Sequence, residues 1–327
     1  MQSEIRRKLL EAFSEAKGDY VSGQKISDVL GCSRTAVWKH IEELRKEGYE
    51  LEAVRKKGYR IIKMPDKISA NEIQLGLQTK RLGRVIHDYE SVDSTQTIAQ
   101  QLAGQGAKEG TIVVSDEQVG GRGRMARVWY SPKETGIWMS LILRPKISIQ
   151  RTPQLTLLAA VAIVQAIEEV TGLSPSIKWP NDILLNGKKV VGILTELQAE
   201  ADQVHSVIIG IGINVNQKKQ HFPEQIQSIA TSLAIEKGEH ISRARIIQQL
   251  LMNFEKLYHQ YLEHGFKPIK LLWESYSISL NKMITARTLS GTIIGRAIGI
   301  NEEGVLLLET ESGKVKQIYS ADIDMHD

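Results

Sequence analysis

The sequence predicts a multidomain α+β protein, and three observations carry that reading. Residues 1–65 read as three short amphipathic helices followed by a basic hairpin, residues 66–275 mix strands and helices without strict alternation, and residues 276–327 are short strands separated by Gly-containing turns. The blocks are expected to form a winged helix-turn-helix, a central α+β domain with a mixed sheet, and a small β-barrel. A chain of 327 residues with 42% hydrophobic content can bury two or three such cores.

In the first block, Ile5, Leu9, Leu10 and Phe13 recur at helical spacing. Ser22 is placed to cap a second helix carrying Ile26, Val29 and Leu30, and Gly31-Cys32 turns the chain. Ser33 can cap a third helix whose core face is Val37, Ile41 and Leu44, leaving Arg34, Thr35, Trp38 and Lys39 on its other faces. Tyr49–Val54 and Tyr59–Ile62 then flank Arg55-Lys56-Lys57-Gly58, a basic tip that reads as a wing. Residues 1–65 hold fourteen Lys and Arg against ten Asp and Glu, so the whole net charge of +4 is N-terminal. Ser33, Arg34, Thr35, Trp38 and Lys39 are therefore candidates for reading DNA, with Arg55, Lys56 and Lys57 on phosphates. The competing reading is a winged helix used for protein contacts, with its charges as a solvated face.

In the second block, Ser69 can cap a helix through Leu77, and Val85–Glu90, Thr111–Ser115 and Ile137–Leu143 read as strands, with a helix after Ser94. An apolar helix spans residues 153–170; its purest run, Leu155–Ile167, is shorter than the ~20 apolar residues a membrane span requires. Strands at 176–179, 189–198 and 205–215 follow, with Asn186-Gly187 as a hairpin turn, then helices over 242–263 and 268–275. The tail carries strands at 283–288, 292–300, 305–309 and 315–318. A single cysteine, Cys32, permits no internal disulfide and no zinc cluster, and no apolar signal region follows Arg6-Arg7-Lys8. These features predict a cytoplasmic protein that does not associate with membranes.

Gly120-Gly121-Arg122-Gly123-Arg124-Met125-Ala126-Arg127-Val128-Trp129 is too basic and too glycine-rich for a core. Glycine lets backbone N–H groups approach a ligand, and a guanidinium offers a planar fork of donors to phosphate or carboxylate oxygens. The stretch reads as an anion-binding loop or, on its own, as a solvated basic loop. It lacks the Gly-Lys-Ser/Thr of a phosphate-binding P-loop and the complete dinucleotide fingerprint. Four further stretches are chemically pointed: Asp93-Ser94-Thr95-Gln96 at a strand-to-helix junction, Gln118 leading into the arginine loop, Lys178-Trp179-Pro180-Asn181-Asp182 closing a hydrophobic strand, and Gly210-Ile-Gly-Ile-Asn214-Val-Asn216 with small residues alternating along a strand.

In this order and spacing these motifs resemble the biotin protein ligases. With the winged helix in front, the chain resembles the bacterial class that is also a biotin operon repressor. The resemblance covers essentially the full length and implies an SH3-like fold for the C-terminal barrel. It implies an ATP-dependent, AMP-forming reaction with Mg²⁺, in which biotin becomes biotinyl-5'-AMP and is then passed to a lysine of the biotin carboxyl carrier protein of acetyl-CoA carboxylase or a related carboxylase. By resemblance, Lys178, Arg122 and Arg124 are catalytic; Ser94, Thr95, Gln96, Gln118, Gly123 and Gly192 join them around biotin; and Gly121, Arg127, Trp129, Asn181, Gly210 and Asn214 join them around the nucleotide. No tightly bound metal is implied and no Mg²⁺ ligand is assigned.

The adenylate is further expected to act as corepressor, ordering the arginine loop and supporting a homodimer that presents two winged helices to operator DNA. A regulator that senses biotin or its adenylate without transferring it is the alternative, and a lipoate ligase of related fold a weaker one. The chain departs from the family pattern at Met125-Ala126, where Arg-Gly is common, and at Gln96, where Asn is common.

Overall fold

A computed structural model describes residues 2–16, 18–200 and 203–326. The N-terminal block folds around its own core. Helices α1 (Gln2–Glu15), α2 (Gly23–Leu30) and α3 (Arg34–Lys46) precede the hairpin β1 (Glu50–Val54) and β2 (Gly58–Lys63). Ser22 and Ser33 cap as expected, their hydroxyls accepting from the N–H groups of Lys25 and Ala36. Leu9, Leu10, Phe13, Ile26, Val37, Ile41, Leu44 and Tyr49 form the core, as the apolar spacing requires. The wing is tied back by reciprocal backbone hydrogen bonds between Val21 and Tyr59, and Gly58, at φ 114°, passes so close to Val21 that a Cβ would strike its backbone.

The helix expected from Ser69 to Leu77 is shorter: α4 covers Ala70–Gln74. Ser69 caps nothing, because its hydroxyl turns to the buried Glu72 carboxylate, which also accepts from Arg6 and Tyr49. Beyond it lie β3 (Ile86–Val92), α5 (Thr95–Gly104), β4 (Ile112–Gln118), β5 (Gly136–Leu143), α6 (Thr152–Thr171), β6 (Ser176–Lys178), β7 (Asp182–Leu185), β8 (Lys188–Glu200) and β9 (Gln203–Asn214). Helices α7 (Leu233–Lys237), α8 (Arg243–His264) and α9 (Lys267–Tyr276) follow. Strand β7 and helix α7, absent from the sequence reading, are only four and five residues long, too short for periodicity to register.

The strands join one seven-stranded sheet in the order β3-β4-β5-β9-β8-β7-β6, with β3 and β4 parallel and the other neighbours antiparallel, so the sheet is mixed as predicted. Alternation along β9 sets its two faces. Ile209, Ile211 and Ile213 pack into the core with α6 and α8, whereas Ile208 packs with Ala99 and Ala103 of α5 and Gly210 and Gly212 continue that face into a cavity. By length and composition, residues Ile149–Thr171 pass as a membrane-crossing helix, yet 72% of its apolar 18-residue stretch is buried inside the protein. It is a core helix, apolar all round because the sheet, α8 and α9 surround it.

The tail is a five-stranded antiparallel sheet of β10 (Met283–Thr288), β11 (Gly291–Ile300), β12 (Leu306–Glu309), β13 (Val315–Ile318) and β14 (Asp322–His326), ordered β13-β12-β11-β10-β14. Its apolar face, including Ile284, Leu306 and Ile323, is continuous with the core of the central block. The chain entering it clamps the end of β6: Ile278 donates to the Ile177 carbonyl, and the Trp179 N–H to the buried Ser279 hydroxyl at 3.0 Å.

Candidate active site

The glycine face of β8 and β9 is the floor of a cavity of about 590 Å³. Gly192 and Gly212 stand opposite each other across these strands, and the Trp129 indole lies over both: a Cβ on Gly192 would come within 2.8 Å of the ring, and one on Gly212 would strike it. Glycine is required here for close approach of an aromatic plate. The Lys189 ammonium sits 5.3 Å from the ring centroid and 2.7 Å from the Asp182 carboxylate, placing a cation–π contact on that plate.

Further along the floor, Gly210 stands opposite Ser140 on one side and Leu194 on the other. The Ser140 hydroxyl donates to Gln96 Oε1 at 2.9 Å and meets the Thr95 hydroxyl at 2.9 Å, while the Gln96 amide donates to the Ile208 carbonyl. Gln118 closes the set, accepting from the Thr95 N–H at 2.9 Å and donating to Ser131. Ser94 occupies the N-cap position of α5 without a side-chain capping bond, buried at the cavity wall. This end offers a buried row of hydroxyl and amide groups, able to donate and to accept, which suits a small polar ring.

Lys178 ends β6 at the cavity, and its ammonium makes no hydrogen bond or ion pair among the described residues. Asn181 is pinned to β8 by reciprocal bonds with Ile193, and its Oδ1 accepts from Arg124 at 3.1 Å. Asn214 donates to the Thr231 carbonyl, fixing the wall under residues 226–230. Of the arginines, Arg122 lies 3.4 Å from Glu196. Arg124 reaches Ser320 at 2.6 Å, and Arg127 pairs with Asp322, so the loop bridges to the tail domain. Burial draws the Arg124 guanidinium below its ordinary value, against the opposing pull of Asp322 and Asp182. Its own hydrogen-bond partners are all neutral, which leaves it short of a counter-charge. The loop itself is a tight turn, with Gly123 donating to Arg127 and with Met125 and Ala126 both left-handed, at φ 55° and 56°.

The cavity thus gathers every residue proposed for biotin and the nucleotide except Gly121. That glycine lies behind the wall, where its carbonyl accepts from Trp129 and a Cβ would meet the Trp129 carbonyl oxygen at 2.5 Å. The sequence reading missed Ser140, Lys189, Asp322 and the apolar flank of Phe222 and Ile229. Ser140 had a signal, as the one polar side chain within an otherwise apolar strand. Asp322 had none, since only β14 pairing with β10 brings it back to the loop.

At the N-terminal end, Ser33, Arg34, Thr35, Trp38 and Lys39 all lie exposed on the first turns of α3, and Arg55, Lys56 and Lys57 on the wing tip. Trp38 is 58% exposed, unusual for a large aromatic with only intramolecular work to do. Tyr20 supports the wing, with the Arg60 guanidinium 4.7 Å from its ring centroid and its hydroxyl on Glu52.

Comparison with known proteins places these parts together. Residues 89–214 match the Biotin/lipoate A/B protein ligase family, residues 5–60 an HTH domain, and residues 279–325 the Biotin protein ligase C terminal domain. The chain is 61% identical over 325 residues, 99% of its length and all of the relative's, to the Bifunctional ligase/repressor BirA of Bacillus subtilis (strain 168). It is 33% identical over 68% of its length to the Biotin--[acetyl-CoA-carboxylase] ligase of Paracoccus denitrificans, covering 93% of that protein. A solved Aquifex aeolicus biotin protein ligase in complex with biotin and ATP superposes with a TM-score of 0.64 at 32% identity, covering 74% of this chain and 99% of that one. Full-length identity to a bifunctional relative, together with all three matched segments, shows that the chain belongs to the ligase/repressor class of the biotin protein ligases.

Proposed function

We propose that the chain joins biotin to ATP as biotinyl-5'-AMP, the α–β phosphoanhydride breaking and pyrophosphate leaving, transfers the biotinyl group to a lysine of a biotin carboxyl carrier protein, and represses biotin biosynthesis and transport genes with the adenylate as corepressor. The observation that carries this reading is the cavity where Lys178, whose ammonium has no partner among the described residues, and Arg124, whose hydrogen-bond partners are all neutral, flank the Trp129 plate on one side and the Ser140–Thr95–Gln96–Gln118 row on the other. Attack of a carboxylate on an α-phosphate brings two anions together, so the protein's task is to align them and offset their charge. Lys178 meets the biotin carboxylate and the α-phosphate, Arg122 and Arg124 the phosphates, the polar row holds the ureido ring, and Trp129 stacks on adenine between Gly192 and the flank by Asn214. The carrier lysine, as the free amine, then attacks the biotinyl carbonyl and AMP leaves with the bonding electrons. Closing the arginine loop keeps water from the mixed anhydride in between.

Mg²⁺ enters with the ATP, as such ions usually bind through substrate phosphates and one or two carboxylates. The exposed face of α3 and the wing tip contact operator DNA, and the adenylate-bound chain acts as a homodimer in the cytoplasm. Domain boundaries are placed near residues 65 and 275. The test is incubation with labelled biotin, Mg-ATP and an apo carrier domain. Covalent labelling of the carrier supports the ligase. Tight biotin binding without labelling supports the regulator that only senses.

A further inference from the structure

One buried cation serves none of this chemistry. Arg243 begins α8, its side chain is 1% exposed, and it does not line the cavity. A buried charge must be matched locally, and this one is matched from three directions. Its Nε donates to Asp66 Oδ2 at 2.9 Å, one Nη to Asp116 Oδ1 at 2.9 Å and to the Gly136 carbonyl, the other Nη to the Asp66 carbonyl at 2.6 Å, and its own backbone N–H to Asp66 Oδ1. Asp66 belongs to the connector that leaves the wing. Asp116 is on β4, two residues before Gln118 of the polar row. Asp66 also accepts from Asn216, two residues past Asn214 on the nucleotide side. The connector is therefore bonded through Arg243 to β4 and the start of β5, and directly to Asn216 just past the end of β9.

Its other end is bonded to the winged helix. The buried Glu72 carboxylate takes hydrogen bonds from Arg6 of α1 and from Tyr49, and Gln248 of α8 donates to the carbonyls of Glu72, Ile73 and Leu75. Buried ion pairs contribute little net stability compared with apolar packing; what they specify is one arrangement over others. A two-fold operator needs both recognition helices at a fixed spacing, so the arrangement specified here matters to DNA binding and not to adenylate formation.

We propose that Arg243 is a positioning residue that conveys the ligand state of the cavity to the winged helix, by holding the connector at Asp66 against β4 and β5. The inference rests on the repressor reading above. The probe is Asp66→Ala in the full chain. Its operator affinity is compared with wild type, with and without biotin and Mg-ATP, beside kcat and KM for adenylate formation. The expected result is that the ligand-driven gain in operator affinity falls by ~10-fold or more while kcat and each KM stay within about twofold. A full ligand-driven gain overturns the proposal, as does a loss of adenylate formation in step with operator binding, which marks a merely structural prop.

If Asp66→Ala fails to fold, Asp116→Asn leaves the connector intact and is expected to act in the same direction. A wild type that shows no ligand-driven gain overturns the repressor reading instead. Amide exchange over residues 66–75 then decides the relay by itself: protection that biotin and Mg-ATP add to wild type and not to the variant supports it, and protection that the ligands leave unchanged overturns it.

Discussion

Gln96 Oε1 lies 2.6 Å from the point where a Cβ on Gly210 would stand. The longer amide at residue 96, where the family commonly has Asn, thus fills the space above the glycine. Gly210→Ala is expected to push the amide off Ser140 and the Ile208 carbonyl and to raise the KM for biotin by ~10-fold, about 1.4 kcal/mol. Gln96→Asn in the same chain should recover most of the loss. A Gly210→Ala chain with wild-type KM would show that the amide swings aside freely.

Lys178→Ala removes a cation that forms no ion pair among the described residues. Adenylate formation, followed by pyrophosphate release, should fall by ~10²–10³-fold or more, while the melting temperature moves by less than ~2 °C. Wild-type turnover in that variant would take Lys178 out of the reaction.

Asp322→Asn withdraws the carboxylate that holds Arg127. The arginine loop should then be cut by protease severalfold faster in the free protein, with protection returning once biotin and Mg-ATP supply phosphate oxygens to the same guanidinium groups. Equal cleavage with and without ligands, in either protein, would count against ordering of the loop by the adenylate.

Replacing Lys56 and Lys57 together by Ala removes two exposed charges from the wing tip, of which Lys57 lies 5.7 Å from the Tyr20 ring centroid. Operator affinity should drop, and the slope of log K against log salt should become shallower by up to ~2, with ligation unchanged. An unaltered slope would mean that the tip does not meet phosphates.

The sequence displays those parts of the molecule whose pattern is local. Helical spacing around Ile26 and Ile41, the Asn186-Gly187 turn between β7 and β8, and the small-residue alternation of Gly210 and Gly212 each depend on neighbours a few residues away, and each appears where expected. Arg243 and Asp322 were invisible for the opposite reason. Arg243 looks like any polar residue at the start of an amphipathic helix until Asp66, 177 positions earlier, is folded against it. Ser69 shows the same effect in reverse: a sound local cap signal yields to Glu72, whose carboxylate is gathered in from the winged helix side.

The bond from Arg124 to Ser320 spans 196 positions. A ribosome adding ~5–20 residues per second reaches Ser320 ten seconds or more after it has made the loop. Once β9 has been made, the polar row and the Trp129 plate can assemble on the sheet while the guanidinium groups still lack their tail anchors. The loop's tail anchors are therefore the last of the site's contacts to become available as the chain is made.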